Sequence, residues 1–400
     1  IGPGELKAEA DAQALPLAEV RQGMQALRSR LTRLRETREA QASRRRLDLD
    51  ERLIAYITRA DILLGEMPAS FDEETRLLFG VVAPHYDEAH FVELTRQLEN
   101  LVPGDGDLSS RVAEFRERFV IPPDRLQSVI GTAMRECRRR TAAHFSLPED
   151  EGVELHIDHD KPYVGFTYYR GDSQSDIHLN ADVPVHIERA IELGCHEGYP
   201  GHHVHATLLE QALIRERGWI EYSLISLFGP LAVIGEGVAS HAEDLVFTPD
   251  ERLAFERDVL MPLSGLDSAD LERYADYTRL IAELNFARNE AARKFLYGGM
   301  AKDDAVEWLM RYGLETRGTA SQRLDFIEAW RGYVVTYNVG RKLVREYIED
   351  RAGDDREAQW RAYREIILKP LSPRDLLNAT RVTGTMPVDR DGSRAALTGG

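Results

Sequence analysis

Residues His196-Glu197-Gly198-Tyr199-Pro200-Gly201-His202-His203 place imidazoles on both sides of a carboxylate. This is a stretched form of the H-E-x-x-H motif, in which two histidines four residues apart on one helix face share a zinc ion and the glutamate serves as general base. Here the spacing is too long. On an unbroken α-helix, positions i and i+6 stand about 9 Å apart along the axis and roughly 240° apart in rotation, so His196 and His202 could not share an ion; His203, at i+7, returns to the face but lies about 10 Å away. The helix must therefore break or bulge inside the motif. Pro200 supplies the break, because its missing N–H is the donor that would have bonded the carbonyl of His196. Tyr199 is pushed away from the α region by the proline after it, and Gly201 accepts backbone angles that other residues avoid. His202 needs the smaller excursion to rejoin the metal, with His203 as its rival. A His-rich helix end, with imidazoles near terminal carbonyls, is the plainer alternative. Five of the twelve histidines fall between His186 and His205, which favours a site.

A third ligand must come from elsewhere, and Gly235-Glu236-Gly237-Val238-Ala239-Ser240-His241-Ala242-Glu243 offers one. Glu236 and Glu243 share a helix face, with Ser240 between them. That permits Glu236 to ligate while Glu243 orients a ligating imidazole through its free N–H. The apolar flank from Leu224 to Ile234 argues for burial, and a buried carboxylate needs a partner. Cys195 points away from His196 and is expected to pack behind the site.

The elements that must carry these residues follow from pattern. Val20, Met24, Leu27, Leu31 and Leu34 form a helical seam, and the arginines around it, ending in Arg44, Arg45 and Arg46, read as a solvated face. Helices are expected over 48–66, 72–82, 87–101, 108–118 and from Pro123 to His144. Then the period changes: Val153 to Asp158, Tyr163 to Arg170 and Asp176 to Asn180 read as a three-stranded meander. An exposed strand beside a metal site can pair with an extended substrate backbone. His156, His159 and His178 on these strands, and His85 and His90 before them, read as structural. The motif helix is expected from Pro184, with Asp182 as its cap. A helix opens after Gly229-Pro230, and helices continue from Asp250 to Glu349, with Asp267 and Ser268 as caps and a turn at Gly298-Gly299. The tail after Pro370 reads as irregular.

Composition bounds the partners. Four hundred residues suffice for a buried site in one large or several smaller lobes, here taken as 1–150 (helical), 151–260 (sheet and motif helices) and 261–400 (helices closing the cleft). A net charge of −17 and a pI near 5.3 argue against nucleic acid as a partner, and no apolar run approaches the length of a membrane span. Cys137 and Cys195 are too few for a disulfide framework, so a cytoplasmic location is expected. The chain begins with Ile1 and shows no signal-peptide pattern, which leaves removal of an upstream leader open.

From about Tyr168 to Gly340 the chain resembles the bacterial family catalogued as domain of unknown function 885, grouped with the gluzincin-like metallopeptidases. The family's H-E-x-x-P-G-H corresponds to His196–His202, and its E-G-x-A-x-x-A-E to Glu236–Glu243. Its P-G-Q-A-x-x-Y-x-x-G aligns with Arg331–Gly340, where Arg331, Tyr333 and Val334 stand in place of proline, glutamine and alanine. The resemblance implies zinc held by His196, His202 and Glu236, Glu197 as general base, and Tyr337 as a donor to a developing oxyanion. It favours His202 over His203. Tyr333 and Tyr337, four apart on a helix, would by spacing alone be read as core. The expected fold is α+β and predominantly helical, with a small antiparallel sheet beside a zincin-like active-site helix. The expected function is zinc-dependent hydrolysis of a peptide or amide bond. The alternatives are a hydrolase of a non-peptide small-molecule amide and a catalytically silent helical protein that retains the metal. Cobalt or manganese could occupy similar ligands.

Overall fold

A computed structural model of the chain describes residues 15–34, 40–161, 165–224, 226–369 and 371–379. The fold is α+β and predominantly helical. Helices Phe71–Phe79, Glu88–Leu101 and Leu108–Glu117 lie where they were expected, while Ala40–Leu63 begins eight residues before the expected 48. Their starts follow local chemistry: Ser70, Asp87 and Asp107 each accept a bond from a backbone N–H of the first turn. A helix follows over Leu126–Thr141 (α1), and strands over Gly152–Asp158 (β1), Gly165–Gly171 (β2) and Gln174–Asn180 (β3). The motif occupies Glu188–Leu193 (α2), a π-type turn Gly194–Gly198, and His202–Leu209 (α3). The remaining elements that build the site are Pro230–Val246 (α4), Arg317–Trp330 (α5), Val335–Ala352 (α6) and Arg356–Leu368 (α7). A contiguous buried apolar cluster runs from Ile62 to Leu376 and draws on the helices named above and on β3.

The sheet is mixed, in the order β1-β3-β2, and not the antiparallel meander expected. β2 and β3 are joined by Asp172-Ser173, both at positive φ (52° and 60°), a tight hairpin that makes them antiparallel neighbours. β1 instead pairs parallel with β3. Alternation along a strand tells which face is buried, not which strand lies beside it, so this order was invisible in the pattern. On β3, Ser175, Ile177 and Leu179 are buried, while Asp176 and His178 turn outward.

Other expectations are corrected. Pro184–His186 is not helical but bridges Val120, with Ile121 N–H donating to Val185 O and Ile187 N–H to Phe119 O, so the motif helix begins at Glu188. Asp182 does not cap it; its carboxylate binds the His159 ring and the Asp160 N–H. Asp267 accepts from Ala269 N–H ahead of the next helix, whose capping position is Asp270. Arg44 pairs with Asp375 and Arg45 forks Glu221 (2.6 and 2.8 Å), so these arginines tie the N-terminal helices to distant segments instead of forming a solvated face. The seam on Leu17–Arg33 is only partly used: Val20, Leu27 and Leu34 are exposed. Residues Pro373–Ala379 form a helix, and the rest of the expected irregular tail lies outside the described residues, as does Tyr163 at the predicted start of the second strand. Among the described residues no helix is long and apolar enough to cross a membrane.

Candidate metal centre

The break inside the motif is built from three devices. The π-type turn is closed by Tyr199 N–H donating to Gly194 O at 2.9 Å, which inserts one residue relative to an α-turn. The Tyr199–Pro200 peptide is cis, and Gly201 N–H reaches back to Cys195 O at 2.9 Å. Helix α3 then restarts, with His205 N–H donating to Gly201 O at 2.8 Å. A Cβ on Gly201 would lie 1.9 Å from the His196 carbonyl oxygen and 2.4 Å from that of Cys195, so only glycine fits. The excursion swings His202 back beside His196, with ring centroids 4.7 Å apart.

His203 turns the other way. Its ring is buried, with Nδ1 2.8 Å from Ser175 Oγ and Nε2 3.0 Å from Glu151 Oε2. Tyr199 Oη also donates to that oxygen, at 2.6 Å, and Arg138 binds the other. Burial alone would raise Glu151, but His203, Tyr199 and Arg138 together hold it below the usual carboxylate range. Both nitrogens of His203 are thus engaged, and the residue anchors α3 to β3 and to Glu151 just ahead of β1.

Glu236 arrives from α4. Gly237 and Gly340 let α4 and α6 cross in backbone contact, since a Cβ on Gly237 would meet Gly340 O at 2.6 Å and one on Gly340 would meet Val233 O at 2.7 Å. Tyr363 on α7 pins the two ligand-bearing elements together, its hydroxyl lying 3.2 Å from Pro200 O and 3.0 Å from Val238 O. Glu236 Oε2 then stands 3.6 Å from His196 Nε2 and 3.8 Å from His202 Nε2. That oxygen is buried and has no hydrogen-bond partner among the described residues, while Oε1 accepts from Tyr333 Oη at 3.3 Å. Ligands of a tetrahedral zinc with bonds of about 2.0–2.1 Å are about 3.3 Å apart, so Glu236 stands a few tenths of an ångström too far from each imidazole. Two imidazoles and a carboxylate are the donor set zinc takes, and a buried carboxylate oxygen outside hydrogen-bond reach needs a cation beside it, a protonated His196 or a metal ion. The residues fit the ion.

Glu197 lies beside the triad. Thr167 on β2 donates its hydroxyl to Glu197 Oε2 at 2.6 Å, and Oε1 faces His196 Nε2 at 4.0 Å. Tyr337 is half exposed at the mouth of the site, next to the buried Tyr333, with ring centroids 5.8 Å apart. Burial and the carboxylates of Glu236 and Glu197 push its hydroxyl up, so it stays a neutral donor. Thr167, Tyr333 and Tyr363 were not anticipated as parts of the site; Tyr333 alone carried a signal, one turn before Tyr337. Glu243 does not orient an imidazole. It pairs with Arg252 (2.8 Å) and Arg341 (3.1 Å), which bring their charges from outside the motif. Cys195 is buried behind the turn, as expected.

Burial would drive the His196 ring toward neutrality, but Glu236, Glu197 and Glu192 outweigh it and raise the ring to about 9. Burial and the neighbouring His196 lower His202. At neutral pH the metal-free site therefore carries a proton on His196 and none on His202. Ligation requires both rings neutral, so metal binding near pH 7.5 is expected to release about one proton and to tighten as pH rises toward 9. Calorimetry in buffers of differing ionisation enthalpy measures this directly; release of no proton would contradict the assignment of His196.

No family model and no curated protein matches the chain. Among solved structures it is similar to the crystal structure of a "putative lipoprotein" from Colwellia psychrerythraea, with a TM-score of 0.56 and 16% identity, covering 88% of this chain and 65% of that one. It therefore spans less than two thirds of the length of that protein. A "putative lipoprotein of unknown function" from Shewanella oneidensis aligns with a TM-score of 0.47 and 13% identity, over 88% of this chain and 73% of that one. The likeness to the Colwellia protein is one of fold.

Proposed function

We propose that the chain is a zinc-dependent hydrolase of peptide or amide bonds, of the gluzincin-like kind suggested by its resemblance to the domain of unknown function 885 family. The observation that carries this reading is the buried, unpartnered Oε2 of Glu236, aimed at the Nε2 atoms of His196 and His202 at 3.6 and 3.8 Å with a second carboxylate next to them. Zinc, when bound, supplies Lewis acidity that lowers the pKa of a water toward neutrality and polarises a carbonyl.

The chain's own groups do the rest. Thr167 fixes Glu197 through Oε2, leaving Oε1 to take the proton of the attacking water and pass it to the leaving amine. Tyr337, neutral and at the mouth, donates to the oxygen on which charge develops. Tyr333 holds Oε1 of Glu236, so that Oε2 faces the imidazoles. β2 is an edge strand of the sheet, and its Thr167 touches Glu197. An extended peptide added to that edge would run past the base, which favours a peptide over a compact amide.

A second reading has one observation in its favour. A carboxylate oxygen of Glu197 lies with the ring nitrogens of His196 and His202 within a mutual 4.8 Å, close enough to act as a fourth ligand and close the site. A closed four-ligand zinc is structural and silent. Peptide libraries with free and blocked termini test the hydrolase reading. Cleavage that chelation abolishes and zinc restores is the expected result, and a chain that carries metal yet cleaves neither peptides nor small amides would leave the silent reading in its place.

A further inference from the structure

The geometry points to a second, independent metal site on the outer face of the sheet. It is built by His156 on β1 with Asp176 and His178 on β3, and suited to a divalent ion of the zinc, nickel and copper class. Parallel pairing sets His156 directly opposite His178 and Glu154 opposite Asp176. The inner face of the sheet serves the centre described above, through Thr167 on β2, while Ser175 on β3 anchors His203. Side chains alternate along a strand, so this cluster looks away from it.

The ligand atoms of His156, Asp176 and His178 all lie within 4.8 Å of one another. His156 Nε2 is 3.3 Å from Asp176 Oδ1, about the separation of two ligands on one tetrahedral ion. His178 Nδ1 is 2.8 Å from Asp158 Oδ2, the carboxylate–histidine arrangement that sets the tautomer and puts the lone pair on Nε2. Arg170 stands 3.5 Å from Asp176 Oδ2, which leaves Oδ1 on the side of the imidazoles. The rings of His156 and His178 stack at 4.8 Å, and Phe166 stacks on His178 at 5.0 Å, so the imidazoles are held in place before any ion arrives.

Two carboxylates face one imidazole here: His156 Nε2 has Asp176 Oδ1 at 3.3 Å and Glu154 Oε1 at 4.0 Å, more than one ordinary hydrogen bond calls for. Two imidazoles with carboxylates beside them recognise a borderline cation. Bound there, the ion would bridge β1 to β3 and stabilise the sheet without entering the chemistry.

Zinc titration of the full chain after chelation, followed by calorimetry, tests this. The wild type is expected to show two classes of site. The double variant His156→Ala/His178→Ala should lose one class entirely and keep the other. Asp158→Asn leaves every ligand in place and should weaken the same class by about 10–100-fold. Glu236→Gln should spare this class, so failure of the central site and failure of this one are told apart. An outer-face double variant that binds zinc with unchanged stoichiometry and heat would overturn the proposal.

Discussion

Replacing Glu197 with Gln is expected to lower kcat for amide hydrolysis by about 10²–10⁴-fold, the usual contribution of a positioned general base, while the chain keeps its metal. Gln preserves the shape and can still accept the Thr167 hydroxyl that holds Oε2 at 2.6 Å. What it loses is the basicity of Oε1, the atom 4.0 Å from His196 Nε2. KM should change little, because the substitution removes an interaction made as the proton moves. The same variant separates the two readings of the centre. A carboxylate that acted as fourth ligand would take the ion with it when replaced, so metal content is measured beside the kinetics. Zinc retained with turnover lost supports the base; zinc lost in parallel supports a closed site.

Gly201→Ala is expected to remove the metal site altogether and to destabilise the chain by on the order of 4 kcal/mol, the top of the range for single substitutions. The added Cβ would sit 1.9 Å from His196 O and 2.4 Å from Cys195 O. Both are backbone atoms of the turn itself, so relief requires pulling His196 away from His202. Gly198→Ala is the matched control. Its Cβ would meet Met134 Cγ at 3.6 Å, an ordinary contact, and a change of within about 1 kcal/mol is expected. Urea midpoints and metal content of the two variants measure the contrast. Equal effects would mean that the tight return at Gly201 is not what sets the ligand geometry.

Much of this centre was legible because its decisive features are local. A count along His196–His203 shows that the helix must break, and Pro200 and Gly201 show where. Glu236 stood out because a carboxylate beside an apolar run has to be compensated. The helices between Phe71 and Thr141 were readable from apolar periodicity, although Ser70 and Asp107, which cap two of them within one turn, were not singled out. What stayed hidden depends on segments meeting in space. Thr167 reaches Glu197 across 30 residues, and Tyr363 reaches Pro200 across 163. Glu243 shares a helix face with Glu236, yet Arg252 and Arg341 claim it, and no spacing rule within α4 could show that. The order β1-β3-β2 was hidden because alternation carries no record of a strand's neighbour. That same order brings His156 beside His178, so the outer cluster could not be seen before the fold was known.

The most direct measurement is elemental analysis of the wild type and of Glu236→Gln, purified and dialysed side by side. Glu236 Oε2 faces both imidazoles and has no hydrogen-bond partner among the described residues, so the wild type should hold one tightly bound zinc equivalent more than the variant. Equal metal in the two proteins would contradict the assignment of His196, His202 and Glu236 as one centre.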